Sequence, residues 1–186
     1  MRMPAADEQQ LIAEAKNGSR EAFRCLVERH MKDAYHIAYG FVNDHHGAEE
    51  IAQDAFVRVY ESLATFRGDA AFQTWLYRIV TNLALNRIHQ MKHRREERFD
   101  GRHEEMTSDQ ASGILQDVDI AEHIERALHE LPTLQRAVVM LRHMNGLSTH
   151  EVSEILHCSE GTVKTHLFRG LEKMREKLRF LRAEGI

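Results

Sequence analysis

Residues 148–182 read STHEVSEILHCSEGTVKTHLFRGLEKMREKLRFLR, and this stretch decides the fold class. Ser148-Thr149-His150-Glu151 places a hydroxyl and a carboxylate three residues apart, the arrangement in which each satisfies a backbone N–H at a helix start. Val152, Ile155 and Leu156 then recur on one side of a short helix. His157-Cys158 turns the chain, Ser159 supplies a second cap, and Val163, Leu167, Leu171, Met174 and Leu178 form the inward stripe of a longer helix. A short helix, a three-residue turn and a longer basic helix is helix-turn-helix spacing, with the second helix placed for the major groove. Away from the stripe, Thr162, Lys164, Thr165, Phe168 and Arg169 gather toward the N-terminal end, where a recognition helix reaches base edges. Arginine suits guanine there, and phenylalanine a thymine methyl. Lys173, Arg175, Lys177, Arg179 and Arg182 continue down the helix and suit phosphates or an acidic partner. A plain solvated helix face is the competing reading.

Working back from this stretch, the helical period dominates. Ile120, Ile124, Leu128 and Leu131 lead to Pro132, and Thr133 is placed to cap a helix through Leu134, Val138, Leu141 and Met144 that closes at Asn145-Gly146. Residues 96–118 break the pattern; they are polar and acidic, with two glycines and no sustained apolar stripe, and read as a flexible linker. Before it, Leu11, Ile12 and Ala15 open a short helix ending at Asn17-Gly18, and Ser19 caps a second helix running from Phe23 to Phe41. The segment Asn43 to Gly47 is expected to make a turn. A third helix then buries Ile51, Ala52, Ala55, Phe56, Val59 and Leu63. Thr65 to Ala71 reads as a tight loop, followed by a fourth helix with Phe72, Trp75, Leu76, Ile79, Val80 and Leu83 inward. The expectation is an all-α protein: two small helical domains, 1–95 and 119–186, joined by the linker 96–118.

Composition bounds the function. The chain has 186 residues, of which 42% are hydrophobic and 29% charged, a balance that supports packed cores with a wet surface. Its longest apolar run, Ala137 to Leu141, falls far short of the roughly 20 residues of a membrane span, and the first ten residues hold no signal-peptide core. A cytoplasmic protein without direct membrane insertion is expected. Cys25 and Cys158 form no C-x-x-C, so neither a disulfide framework nor a thiolate zinc site is indicated. The net charge of −4 is unevenly spread: residues 1–63 carry −4, 64–98 carry +4, 99–131 carry −7 and 132–186 carry +3. Two basic blocks alternating with two acidic ones is the footprint of a chain that touches phosphate in two places, with solvated helix faces as the bland alternative.

Catalytic patterns are missing. No two glycines lie two apart, there is no phosphate-binding G-x-x-x-x-G-K, and none of the three His-Glu pairs continues as H-E-x-x-H. His45-His46 and the His89/His93 pair lack a third ligand, so no metal and no cofactor is expected. Cys158 sits at the bend of the helix-turn-helix, where a small buried residue fits; a redox role is the sharper alternative. The fourth helix offers more. Arg78, Asn82, Asn86, His89 and His93 recur at three- and four-residue steps, and from Arg78 to Arg95 there are five Arg/Lys and no acid. Amides that pair with base edges, backed by cations for phosphate, suit nucleic acid, although an amide ladder is also compatible with a solvated face. Beside it, Phe66-Arg67-Gly68-Asp69 is a small-residue loop able to close around an unstacked base.

These residues carry a family resemblance. AEEIAQDAFVRVYESLATFRG (48–68) followed by FQTWLYRIVTNLALNRI (72–88) resembles region two of bacterial extracytoplasmic-function sigma factors, and residues 131–178 resemble their region four. Two motif blocks in this order and at this gap are far more specific than a lone helix-turn-helix. The resemblance implies core RNA polymerase and promoter DNA as partners, commonly an anti-sigma factor as well, and no catalysis by the chain itself. It implies polymerase contacts at Glu50, Gln53, Asp54 and Arg58, with Phe56 in the core. It places the minus-ten element against Phe66, Arg67, Gly68, Asp69, Arg78, Asn82, Asn86 and Arg87. The minus-thirty-five element falls to Thr162, Lys164, Thr165, Phe168 and Arg169. Lys164 and His166 stand where family members often carry Arg, and Glu160 adds an acid at the groove end, so no relative's promoter transfers. Two other readings remain at this point: a stand-alone helix-turn-helix regulator, which leaves residues 49–86 without a job, and a helical interaction protein whose basic faces bind acidic partners.

Overall fold

The computed structural model describes residues 8–98 and 120–183. They form α1 (Glu8–Lys16), α2 (Arg20–Val42), α3 (His45–Ser62), a 3-10 turn (Leu63–Thr65), α4 (Phe72–Arg98), α5 (Ile120–His129), α6 (Thr133–Val139), a π-type turn (Met140–Met144), α7 (Thr149–Ile155), α8 (Glu160–Lys177) and α9 (Arg179–Ala183). No strand occurs among the described residues. Because α4 continues to Arg98, residues 96–98 of the expected linker are helical; the rest of that segment lies outside the described residues.

The local chemistry of the sequence sets most helix starts. The Ser19 hydroxyl accepts from the Ala22 N–H at 3.2 Å, Ser159 accepts from Thr162 at 3.0 Å, and Ser148 and Glu151 close both halves of a capping box. Two expected boundaries move. Asn43, with φ of 52°, ends α2 in the left-handed region, and Asp44 Oδ2 accepts from Gly47 N–H at 2.6 Å, so the turn is only two residues and His45–Gly47 join α3. Thr133 lies inside α6 rather than capping it; Pro132, whose missing N–H costs nothing at a helix start, takes the cap position.

Leu26, Ile37 and Phe41 of α2, Ala55 and Val59 of α3, and Leu76, Tyr77 and Val80 of α4 are fully buried together. The inward set of α4 is rotated from expectation. Phe72, Leu76, Tyr77, Val80, Thr81 and Ala84 go to the core, whereas Trp75, Ile79 and Leu83 are half-buried on its flank. In the C-terminal helices Ala137, Val138, Leu141, Val152, Ile155 and Val163 make a second centre.

The two centres meet. Met140, 3% exposed, packs its thioether onto bare backbone at Gly40 of α2, where a Cβ would lie 2.0 Å from the methionine methyl. Arg136 of α6 donates through Nη2 to the Phe41 carbonyl at 3.1 Å, at the negative end of the α2 dipole. Its Nη1 donates to the His129 carbonyl and lies 3.1 Å from the His129 ring Nδ1, while Tyr39 meets the same ring edge-on at 5.9 Å. At the other end of the seam Thr74 of α4 donates its hydroxyl hydrogen to Glu151 of α7 at 2.8 Å.

This seam predicts a pH dependence. Burial, and after it the Arg136 charge, holds the His129 imidazole below its ordinary 6.5. The unfolded chain takes the proton near that ordinary value and the folded chain only in more acid solution, so stability is complete above it and falls as the pH drops below it. Thermal unfolding between about pH 7 and pH 5 is expected to show a fall in midpoint that His129→Gln reduces. An unchanged fall in that variant excludes His129 as its source.

Candidate nucleic-acid interface

Three surfaces carry the residues singled out by sequence. The first is the loop between the 3-10 turn and α4. Gly68 sits at φ of +81°, a conformation open to glycine at no steric cost, and it lets the chain reverse within Phe66–Ala71. Phe66 is half-buried: its ring lies 4.8 Å from Trp75 and 6.0 Å, edge-on, from Phe72, and its carbonyl accepts from Lys16 of α1. It anchors the loop and is not a free stacking platform. Arg67, Gly68 and Asp69 are exposed at the tip. With Arg78, and with His150, Glu151 and Glu154 of α7 on the far side, they line a cleft of about 620 Å³.

The second surface is the outer face of α4. Arg78, Asn86, His89 and His93 are exposed and Asn82 is half-buried, so the amide ladder continues the cleft along one side of the helix. Arg87 lies off this ladder. Its Nη2 donates to Glu50 of α3 at 3.0 Å, which brings a residue assigned to DNA together with one assigned to polymerase. His46 stands 3.4 Å from the same Glu50 carboxylate. On α3 itself Gln53, Asp54 and Arg58 are exposed, while Phe56 is in the core. Sequence reading missed Val57 and Tyr60, which are 56% and 59% exposed on that same face and border a shallow apolar groove with Phe23 and Met31. Their signal was available: both lie off the buried stripe of α3, between its charged positions.

The third surface is α8. His157, at φ of 50°, turns the chain between α7 and α8, and Cys158 follows with its thiol pushed up by burial, which disfavours the reactive thiolate. Phe168 is 68% exposed, an uncommon position for a phenylalanine without a partner to cover it. The Thr165 hydroxyl donates to the Gly161 carbonyl at 2.9 Å, so it faces outward as an acceptor only. Thr162 shares its hydroxyl with the Ser159 cap at 2.9 Å. Lys164 stands 4.0 Å from Glu160, which also lies 3.5 Å from His150. Among the described residues no group of three His, Cys, Asp or Glu side chains is arranged to hold a metal. No described helix is long and apolar enough to cross a membrane.

Residues 26–102 match Sigma-70 region 2, and residues 121–174 match Sigma-70, region 4. The ECF RNA polymerase sigma factor SigW of Bacillus subtilis is 34% identical over 179 residues, covering 91% of this chain and 96% of that protein. The RNA polymerase sigma-H factor of Pseudomonas aeruginosa is 32% identical, covering 96% of this chain and 97% of that protein. Among solved structures, the sigma factor RpoE of Bartonella quintana, in complex with the anti-sigma factor NepR, superposes with a TM-score of 0.69 over 84% of this chain and 96% of that one, at 20% identity. CnrH, in complex with the cytosolic domain of CnrY, gives a TM-score of 0.65 over 92% of this chain and 97% of that one, at 24% identity.

Anchor and tip residues of the loop are separable by mutation. Phe66→Ala is expected to cost about 1–3 kcal/mol of unfolding free energy in urea, and Arg67→Ala less than about 0.5 kcal/mol. Equal costs remove the distinction drawn between them.

Proposed function

Because the chain belongs to the extracytoplasmic-function group of RNA polymerase sigma factors, we propose that its three surfaces divide promoter recognition among themselves. The stand-alone regulator is set aside: the match to Sigma-70 region 2 gives α2–α4 the role that reading left empty. The exposed face of α3, with Gln53, Asp54, Val57, Arg58 and Tyr60, docks on core polymerase. Glu50 borders it, tied to Arg87. Arg67, Gly68 and Asp69, held by the Phe66 anchor, receive an unpaired base of the minus-ten element, and Arg78, Asn82 and Asn86 track the melted strand beside it. Thr162, Lys164, Thr165, Phe168 and Arg169 read the minus-thirty-five duplex through the major groove.

The observation that carries this reading is the continuity of the loop cleft with the amide ladder on α4. Trapping unpaired bases there stabilises the melted bubble, and docking on polymerase raises the effective concentration of each domain at its own element. The chain supplies no reacting group, and phosphodiester synthesis is left to the polymerase. An anti-sigma factor is a further proposed partner, as the fold is shared with the sigma factor RpoE of Bartonella quintana, which was co-crystallised with the anti-sigma factor NepR.

Transcription by purified protein and sigma-free bacterial core polymerase on genomic DNA of the encoding organism tests the proposal. Starts at a few sites sharing two spaced motifs are expected. On those promoters the Asn82→Ala/Asn86→Ala double variant should lose bubble opening, read by permanganate reactivity of unpaired thymines, while still binding core. Full opening by the double variant overturns the assignment of the α4 face.

A further inference from the structure

We propose that α1, a helix with no task in the three surfaces, braces the loop that receives the unpaired base, and that Lys16 at its C-terminal end is a positioning residue for that capture. The inference rests on the reading of Arg67, Gly68 and Asp69 as the base-receiving tip. It gives a role to a helix that precedes residues 26–102, the segment matched to Sigma-70 region 2.

Lys16 acts on the peptide from which the tip departs. Its ammonium donates to the Phe66 carbonyl and stands 5.7 Å from the centroid of the Phe66 ring, within cation–π range. The Phe66 N–H donates to the Leu63 carbonyl at 3.1 Å, so both backbone polar groups of Phe66 are held. A peptide unit is planar, and fixing the Phe66 carbonyl therefore fixes the direction in which Arg67 leaves. The Phe66 ring ties the loop to α4 through Trp75, but ring packing leaves the following peptide free to rotate. A charge-assisted bond to its carbonyl removes that freedom. Beyond Arg67 the chain is unsupported: Gly68 has φ of +81°, and a Cβ added there would meet nothing within 4 Å. The tip takes its aim from its first peptide.

The brace is anchored at its other end. A helix of nine residues is marginal by itself, so tertiary contacts must hold it. Leu11 enters the core at 3% exposure, and the Glu8 carboxylate lies 2.7 Å from His30 Nε2. The buried His30 ring packs 5.2 Å from Phe72, the residue that closes the loop and opens α4. Over a length of about 13 Å, α1 thus links the residue at which the loop begins to the one at which it ends. Lys16 itself is exposed, so its contribution is orientation rather than burial.

Holoenzyme assembled from the full chain and core polymerase tests the inference. It is bound to fork templates in which each non-template position of a minus-ten element mapped by transcription carries every base in turn. The loop-read position is the one whose base preference Asp69→Ala removes. Lys16→Met keeps the apolar stem and loses the donor. It should lower the preference at that position about tenfold, within what one well-placed base contact supplies, and leave the other positions as in wild type. Lys16→Arg, which still donates to the carbonyl, should restore most of the preference. A loss of stability weakens binding to every template alike and produces no change confined to one position. Unchanged preference at the loop-read position overturns the inference. So does uniform weakening on all templates with the salt slope reduced by about one, the signature of a lysine on phosphate. A wild-type holoenzyme with no preference that Asp69→Ala removes overturns the reading of the loop itself, and the brace with it.

Discussion

Met140 rests on backbone that has no side chain, and the relation between the two halves of the molecule depends on that contact. Helix α2 is the shared element: one side carries Leu26, Ile37 and Phe41 into the N-terminal core, and its C-terminal end receives Met140, Arg136 and the His129 ring. Any residue larger than glycine at position 40 must displace the thioether. Arg136 adds direction to a contact that packing alone would leave slippery, because its fork meets the Phe41 and His129 carbonyls and the His129 ring nitrogen at two helix ends.

That seam changes how the candidate surfaces relate. Read singly, the loop 66–71 and the helix-turn-helix are two proposed DNA-binding devices, far apart in sequence. Packed together, the first helix of one becomes a wall of the other, through the Thr74–Glu151 hydrogen bond. Glu151 thus serves twice: it completes the cap that starts α7, and it fastens that helix across the cleft. The Glu50–Arg87 pair works in a similar way on the opposite side, tying α3, whose exposed face is proposed to dock on polymerase, to the helix that carries the amide ladder. A shift of α3 on docking would be felt at α4 through this pair, though an exposed ion pair contributes little to stability by itself.

Much of this was legible in the sequence, for a physical reason. Helix starts at Ser19, Ser148 and Ser159 and the buried stripe of α3 depend on contacts within a few residues, so spacing alone identifies them. The turn chemistry around Asn43 and the start of α6 were local too, but there two signals competed: Asp44 took the cap, and Pro132 displaced Thr133. The order of the two motif blocks carries the resemblance to region two and region four, and the family matches agree with it.

What the sequence could not decide lies between elements. Periodicity put Trp75, Ile79 and Leu83 inward, yet α4 is rotated so that Trp75 meets the Phe66 anchor and Thr81 goes to the core. The ladder of Arg78, Asn82 and Asn86 survives that rotation, while Arg87, read with them as a minus-ten contact, pairs with Glu50 of α3. The sequence alone determined which helices form and which family they compose, because caps and stripes are written within single turns. Only the tertiary structure decided that Gly40 receives Met140 and that α7 faces the loop, because those contacts join residues about a hundred positions apart and depend on the shape of the surfaces that meet.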